Sequence, residues 1–224
     1  MTSFLLNEEQ GQLRESACDF LFKQSPVSLQ RRLRESETEP GFDRALWKQS
    51  AELGWPAAVF PEEQGGLAVG YAGLGAIFEV MGRTLAALPL LSSVVLAGEL
   101  LLRAGDATQR ARWLPGIVAG ERRFALALDE SQRHDPAAAA TRARREGDGW
   151  VLDGEKWFVI DGVGADALIV VARMEGDDLP GLFVVDSALA GVEIQRTRLV
   201  DSRNHARAQL RGVRVTGAER LVAI

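Results

Sequence analysis

The feature that most constrains the fold of this chain is a change of hydrophobic period near Gly120. Before it, apolar residues return at helical spacing; after it, they alternate or run in short blocks between turn signals. Asn7 followed by Gln10 reads as a capping box, and Leu6, Leu13, Ala17, Phe20 and Leu21 then recur on one helical face. Further helices are expected over residues 29–34 and over 43–53, where Leu46, Trp47 and Leu53 are the apolar positions and Gly54 the stop. Residues 55–66 read as loop, punctuated by Pro56, Pro61 and Gly65-Gly66. Helix returns over 71–83, over 90–103 after Pro89, and over about 107–120 with an offset at Pro115.

Beyond Gly120 the strand candidates are 123–128, 142–146, 150–152, 156–160, 167–172, 182–185, 192–196 and 208–215. Asp153-Gly154 suits a type I′ hairpin turn between two of them. A run of helices followed by many short strands predicts an α+β chain. Its first block, residues 1–120, is an all-helical bundle; its second, 121–224, is a small antiparallel β-barrel or sandwich.

Charge narrows the function classes. The 26 basic and 31 acidic residues are interspersed, which argues against a nucleic-acid partner. Arg31, Arg32 and Arg34 read as a solvated helix face. A single cysteine, Cys18, excludes an internal disulfide framework and fits a reducing cytoplasm; its helical setting predicts a buried thiol rather than a nucleophile. Two histidines, His134 and His205, make a histidine metal site improbable. The opening residues lack the charged-then-apolar pattern of a signal peptide. The apolar stretch 85–102 carries Pro89, Ser92, Ser93 and Glu99, so a buried helix is expected rather than a membrane span.

Particular words along the chain say more than its periods. Leu53-Gly54-Trp55 and then Pro61-Glu62-Glu63-Gln64-Gly65-Gly66 are followed by Glu79-Val80-Met81-Gly82-Arg83. Next come Gly105, Gln109, Trp113-Leu114-Pro115 and Gly120-Glu121. The β half contributes Gly154-Glu155-Lys156-Trp157-Phe158-Val159-Ile160-Asp161-Gly162 with Ala165-Asp166, then Asp201-Ser202-Arg203 and Val213-Arg214-Val215. Each word alone is commonplace, but their shared order resembles the N-terminal helical and middle β domains of the acyl-CoA dehydrogenase family.

That resemblance implies a substrate that is an acyl group joined to coenzyme A through a thioester. It also implies FAD, which accepts a hydride from the β-carbon while a carboxylate removes the α-proton. In the family the flavin lies between the middle β domain and a C-terminal helical domain that supplies the base. The chain ends at Ile224, where that domain would begin, so no catalytic residue is expected within it. If active, it would pass electrons to an electron-transfer flavoprotein.

The family's flavin-facing strand and loop, [YF]-x-x-T-E-P-x-A-G-S-D, align with residues 126–136. The resemblance thus assigns cofactor-binding positions to Leu126, Leu128, Asp129, Phe158 and Ile160, and substrate-binding positions to His134 and Asp135. Glu130 and an aromatic at Phe158 are retained. Asp129 stands where the family has a threonine, His134-Asp135 where it has Gly-Ser, and Ile160 where it has a hydroxyl. An ionised Asp129 would repel a reduced, anionic flavin, and Ile160 removes a donor. Leu126 and Leu128 also read as plain core residues, Asp129 as a solvated strand end, and Arg203 as a turn or ion-pair residue. Two functional readings follow: an FAD-dependent enzyme completed elsewhere, or a flavin-degenerate partner subunit in a homo- or hetero-oligomer with another family member. A scaffold or acyl-CoA-binding module without redox chemistry is a third.

Overall fold

The computed structural model describes residues 6–36, 40–135, 139–177 and 179–221. The first five residues, Pro136 and Ile224 lie outside them.

The helical half follows its caps. Helix α1 (Glu8–Gln24) carries the expected box, with the Gln10 amide donating to the Asn7 side chain and the Gln10 side chain accepting from the Asn7 amide. Ala17 and Leu21 are buried, while Cys18 is half-buried against the core rather than enclosed. Helix α2 (Val27–Glu35) buries Leu33 and turns Arg31, Arg32 and Arg34 to solvent. Helix α3 (Arg44–Glu52) is capped by Asp43 and ends at Gly54 in the left-handed region, φ 76°. Leu53, expected to be an apolar anchor, is exposed. Two 3₁₀ turns, Trp55–Ala57 and Glu62–Gln64, give structure to the expected loop.

Helix α4 (Gly70–Thr84) leads through Pro89 to a segment expected to be one regular helix. It is instead π-helical over Leu91–Gly98 before becoming α5 (Glu99–Ala104). Ser92 and Ser93 are buried there, and the Ser93 hydroxyl donates to the Phe124 carbonyl and accepts from the Phe124 amide. A side chain therefore satisfies the first backbone groups of the sheet, a tertiary bond that helical periodicity does not encode. Helix α6 (Ala107–Val118) has a second capping box, Asp106 with Gln109.

The β half is an eight-stranded sheet of order β6-β7-β3-β2-β4-β5-β8, with β1 on β4. Its strands are β1 (Phe124–Ala127), β2 (Arg142–Glu146), β3 (Gly149–Ile160), β4 (Ala167–Met174), β5 (Pro180–Asp186), β6 (Val192–Thr197), β7 (His205–Thr216) and β8 (Arg220–Leu221). The α+β expectation holds, with two corrections. Of the barrel and sandwich alternatives the sheet is the open, sandwich-like one, and it is mixed rather than antiparallel, because β1 and β2 both run parallel to β4. Asp153-Gly154 is not a hairpin turn. Strand β3 runs straight through it, with a register shift against β7 between Leu152 and Gly154. Glycine is required there by close approach: a Cβ on Gly154 would lie 2.5 Å from Thr141 Oγ1 and 2.7 Å from Thr141 Cα.

One face of the sheet packs on the helices, since Phe124, Ala167, Ile169, Val184 and Leu221 join the helical core. The second core, with Ala127, Leu152, Phe183 and Leu210, lies within the β half. Among the described residues no helix is long and apolar enough to cross a membrane, and no cluster of His, Cys, Asp or Glu is placed to hold a metal ion.

Candidate functional site

The end of β1 and the middle of β3 come together. Past Ala127 the chain stays beside β3, and the Trp157 amide donates to the Asp129 carbonyl at 2.7 Å. The two segments assigned to the cofactor, 126–129 and 158–160, are therefore neighbours.

Beneath them sits a buried charge pair. Lys156 is 0% exposed; its Nζ donates to Glu130 Oε1 at 2.5 Å and to the Leu128 carbonyl at 3.1 Å. The Glu130 carboxylate also accepts the backbone amides of Ala140 and Thr141. Burial pushes the Glu130 carboxyl up, but hydrogen bonds from Lys156, Thr141 and Ala140 outweigh it and leave the group below the usual range. Burial drives the Lys156 ammonium down, opposed by Glu130 and Asp129.

Above the pair, Asp129 Oδ1 lies 2.7 Å from His134 Nδ1. Asp129 is partly buried, whereas His134 and Asp135 are exposed. The carboxylate thus has both a partner and solvent. Leu126 is partly buried against the helical core, and Leu128 is partly exposed one step before Asp129. Phe158 adopts φ 51°, uncommon for an aromatic residue, at a second register shift between Lys156 and Val159. Its ring meets Trp157 edge-on, centroids 5.9 Å apart, and its carbonyl lies 3.4 Å from His205 Nδ1. Ile160 closes β3 opposite His205.

Just beyond Ile160, Asp161 turns the chain with φ 54° into the seam between the halves. Its amide donates to the Asn204 carbonyl at 2.6 Å, and Asn204 Nδ2 reaches the Pro40 and Val163 carbonyls. Burial pushes the Asp161 carboxyl up to about 6, against the pull of Ser92, Arg203 and His205. A largely apolar cleft of about 460 Å³ opens here, lined by Phe78, Met81, Leu85, Leu88 and Leu91 and edged by Asp161 and Arg203. Arg203 makes a turn, its amide on Asp201 Oδ1.

Sequence reasoning missed Lys156, Asp161 and Asn204 as site-forming residues. The signal for Lys156 was a lysine inside a strand otherwise destined for burial, in the same word as Phe158. Asn204 carried no local signal, because its partners lie 41 and 164 residues away.

A flavin ring edge offers carbonyl and N5 positions that call for donors. The side chains here do not fit that need. An ionised Asp129 only accepts, the His134 ring is engaged with it, and Ile160 has no polar atom. Among the assigned cofactor positions, Phe158 keeps the aromatic that the resemblance implies.

Two family models match the chain. The model described as "Acyl-CoA dehydrogenase, N-terminal domain" matches residues 7–121, and "Acyl-CoA dehydrogenase, middle domain" matches residues 125–213. Acyl-CoA dehydrogenase FadE12 of Mycobacterium tuberculosis is 31% identical over 85% of this chain and 50% of its own length. Mitochondrial isovaleryl-CoA dehydrogenase of Bos taurus is 31% identical over 78% of the chain and 41% of its own. The ChsE4-ChsE5 complex from M. tuberculosis superimposes with TM-score 0.86 at 29% identity, over 98% of this chain and 58% of that one. The chain therefore spans about half the length of the curated relatives it matches.

Proposed function

The chain belongs to the acyl-CoA dehydrogenase family, and from that premise we propose that it is a flavin-degenerate subunit of a heteromeric acyl-CoA dehydrogenase. The observation that carries this reading is the Asp129–His134 pair at the end of β1. It puts a committed carboxylate where a flavin needs a donor, and Ile160 supplies none. The structural likeness to one component of the ChsE4-ChsE5 complex supports a heteromeric setting.

On this reading a family partner holds most of the FAD, and Phe158 contributes a ring face at the shared boundary. The assembly carries out α,β-dehydrogenation of an acyl-CoA to a 2-enoyl-CoA, with the base coming from outside this chain. Electrons then pass to an electron-transfer flavoprotein. The apolar cleft beside Asp161 suits the acyl portion of such a substrate. Residues 1–120 and 121–224 act as the helical and middle β domains of this subunit, in the cytoplasm.

Visible absorbance of the purified chain, alone and co-expressed with a co-encoded family member, tests the proposal. A colourless chain that acquires a flavin spectrum only with its partner is the expected result. A yellow chain that binds FAD alone overturns it in favour of an FAD-dependent enzyme in its own right. A chain that stays colourless with every family partner, yet binds an acyl-CoA, overturns it in favour of a module without redox chemistry.

A further inference from the structure

We propose that Lys156 is a positioning residue that sets the end of β1 against β3 by acting through Glu130. This rests on the reading that Asp129 and Phe158 face the shared flavin. A fully buried ammonium is costly unless its donors are satisfied by well-placed acceptors. Here it takes the Leu128 carbonyl and the Glu130 carboxylate, the groups on either side of Asp129. Glu130 in turn accepts the Ala140 and Thr141 amides, and the Arg173 amide donates to the Thr141 carbonyl, so the clamp is tied to β4.

The consequence falls on Asp129. It is bracketed by two acceptors of one ammonium, and its own carbonyl is held by the Trp157 amide. Its side chain is thereby presented to His134, and the amide that holds its carbonyl belongs to Trp157, the residue before Phe158 with its φ of 51°. Lys156 Nζ bonds the Leu128 carbonyl and the Glu130 carboxylate at once, and a neutral side chain at 156 would remove that shared donor.

Amide hydrogen exchange on the purified full chain tests this without flavin. Lys156→Met is expected to speed exchange at the Trp157 and Thr141 amides at least tenfold, with the Ile169 and Val184 amides of the core within twofold. Lys156→Arg, which keeps the charge, should restore most of the protection. The double variant Lys156→Met with Glu130→Gln removes the orphaned carboxylate, so its thermal midpoint should recover while Trp157 exchange stays fast. A merely structural role predicts that both recover together, and that outcome overturns the proposal. So does a Trp157 amide unchanged in Lys156→Met, or one that accelerates only in step with the core. Because these readouts need no cofactor, failure of the partner-flavin experiment and failure of this one are separate results.

Discussion

Asp161 shows how one residue can hold a site at some cost to the fold. Its carboxyl is pushed up to about 6 by burial, against Ser92, Arg203 and His205. A raised carboxyl is protonated in the folded chain when the unfolded chain has already ionised. Stability therefore falls as pH rises from about 3.8 to about 6 and stays lowered above that. The left-handed φ of 54° suits asparagine as well as aspartate. Asp161→Asn is thus expected to stabilise the chain by about 1–3 kcal/mol at pH 7.5 and by nearly nothing at pH 4. Urea unfolding midpoints of the two proteins at both pH values check the sign. Asp129 makes a contrasting case. Its chemistry could be weighed from the sequence as a strand-end carboxylate needing solvent or a partner, but that His134 is the partner depends on how the loop folds back.

At the scale of elements, most of what was legible lay in local signals. Capping at Asn7, the stop at Gly54 and the switch to strand period after Gly120 all depend on neighbours a few residues apart, and each is found where expected. What failed depended on distant contacts. Asp-Gly inside β3 has the chemistry of a hairpin turn, yet β2 and β7 flank that strand on both sides and hold it extended. The π-helical turn and the parallel pairing of β1 with β4 likewise have causes across the molecule, in Ser93 on Phe124 and in the crossover through β2 and β3. The glycine of β3 gives a test of the corrected reading. If Gly154 served a hairpin, alanine there would meet only solvent. Because it lies against the backbone of Thr141, Gly154→Ala should cost about 1–3 kcal/mol by overpacking. The atoms the added Cβ would meet are Thr141 Oγ1, Cα and Cβ, all of which serine keeps, so Thr141→Ser should not relieve the cost in the double variant. A neutral effect of Gly154→Ala on the unfolding midpoint would count against the continuous strand.

For the whole molecule, Glu155, Glu130 and Glu219 set an acid limb that opposes the Asp161 effect. Glu155 spans β3 to β7, with Arg207, Gln209 and the Trp157 indole all donating to it, and its carboxyl is held at about 2 chiefly by Arg207. Glu130 is lowered by Lys156 and its amides, and Glu219, which closes a capping box with Thr216 on a third 3₁₀ turn (Gly217–Glu219), by Thr216 and Arg112. For each lowered group, stability is fully present above the ordinary carboxylate value of 4.5 and is lost as pH falls through the folded value. Asp161 works the other way, adding stability as pH drops from about 6 toward 3.8. The two effects oppose each other: Asp161 adds stability as pH drops from about 6, and the lowered carboxylates take it away below 4.5. Glu155→Gln tests the falling limb. It keeps the shape and one acceptor but cannot titrate, and Glu155 is partly exposed, so the loss at neutral pH should be only about 0.5–1 kcal/mol. Between pH 4.5 and 2 its unfolding midpoint should decline less steeply than that of the parent chain, and the two curves should converge at the acid end. Parallel curves across that range would show that the acid limb is set elsewhere and that the Glu155–Arg207 pair is only a surface contact between β3 and β7.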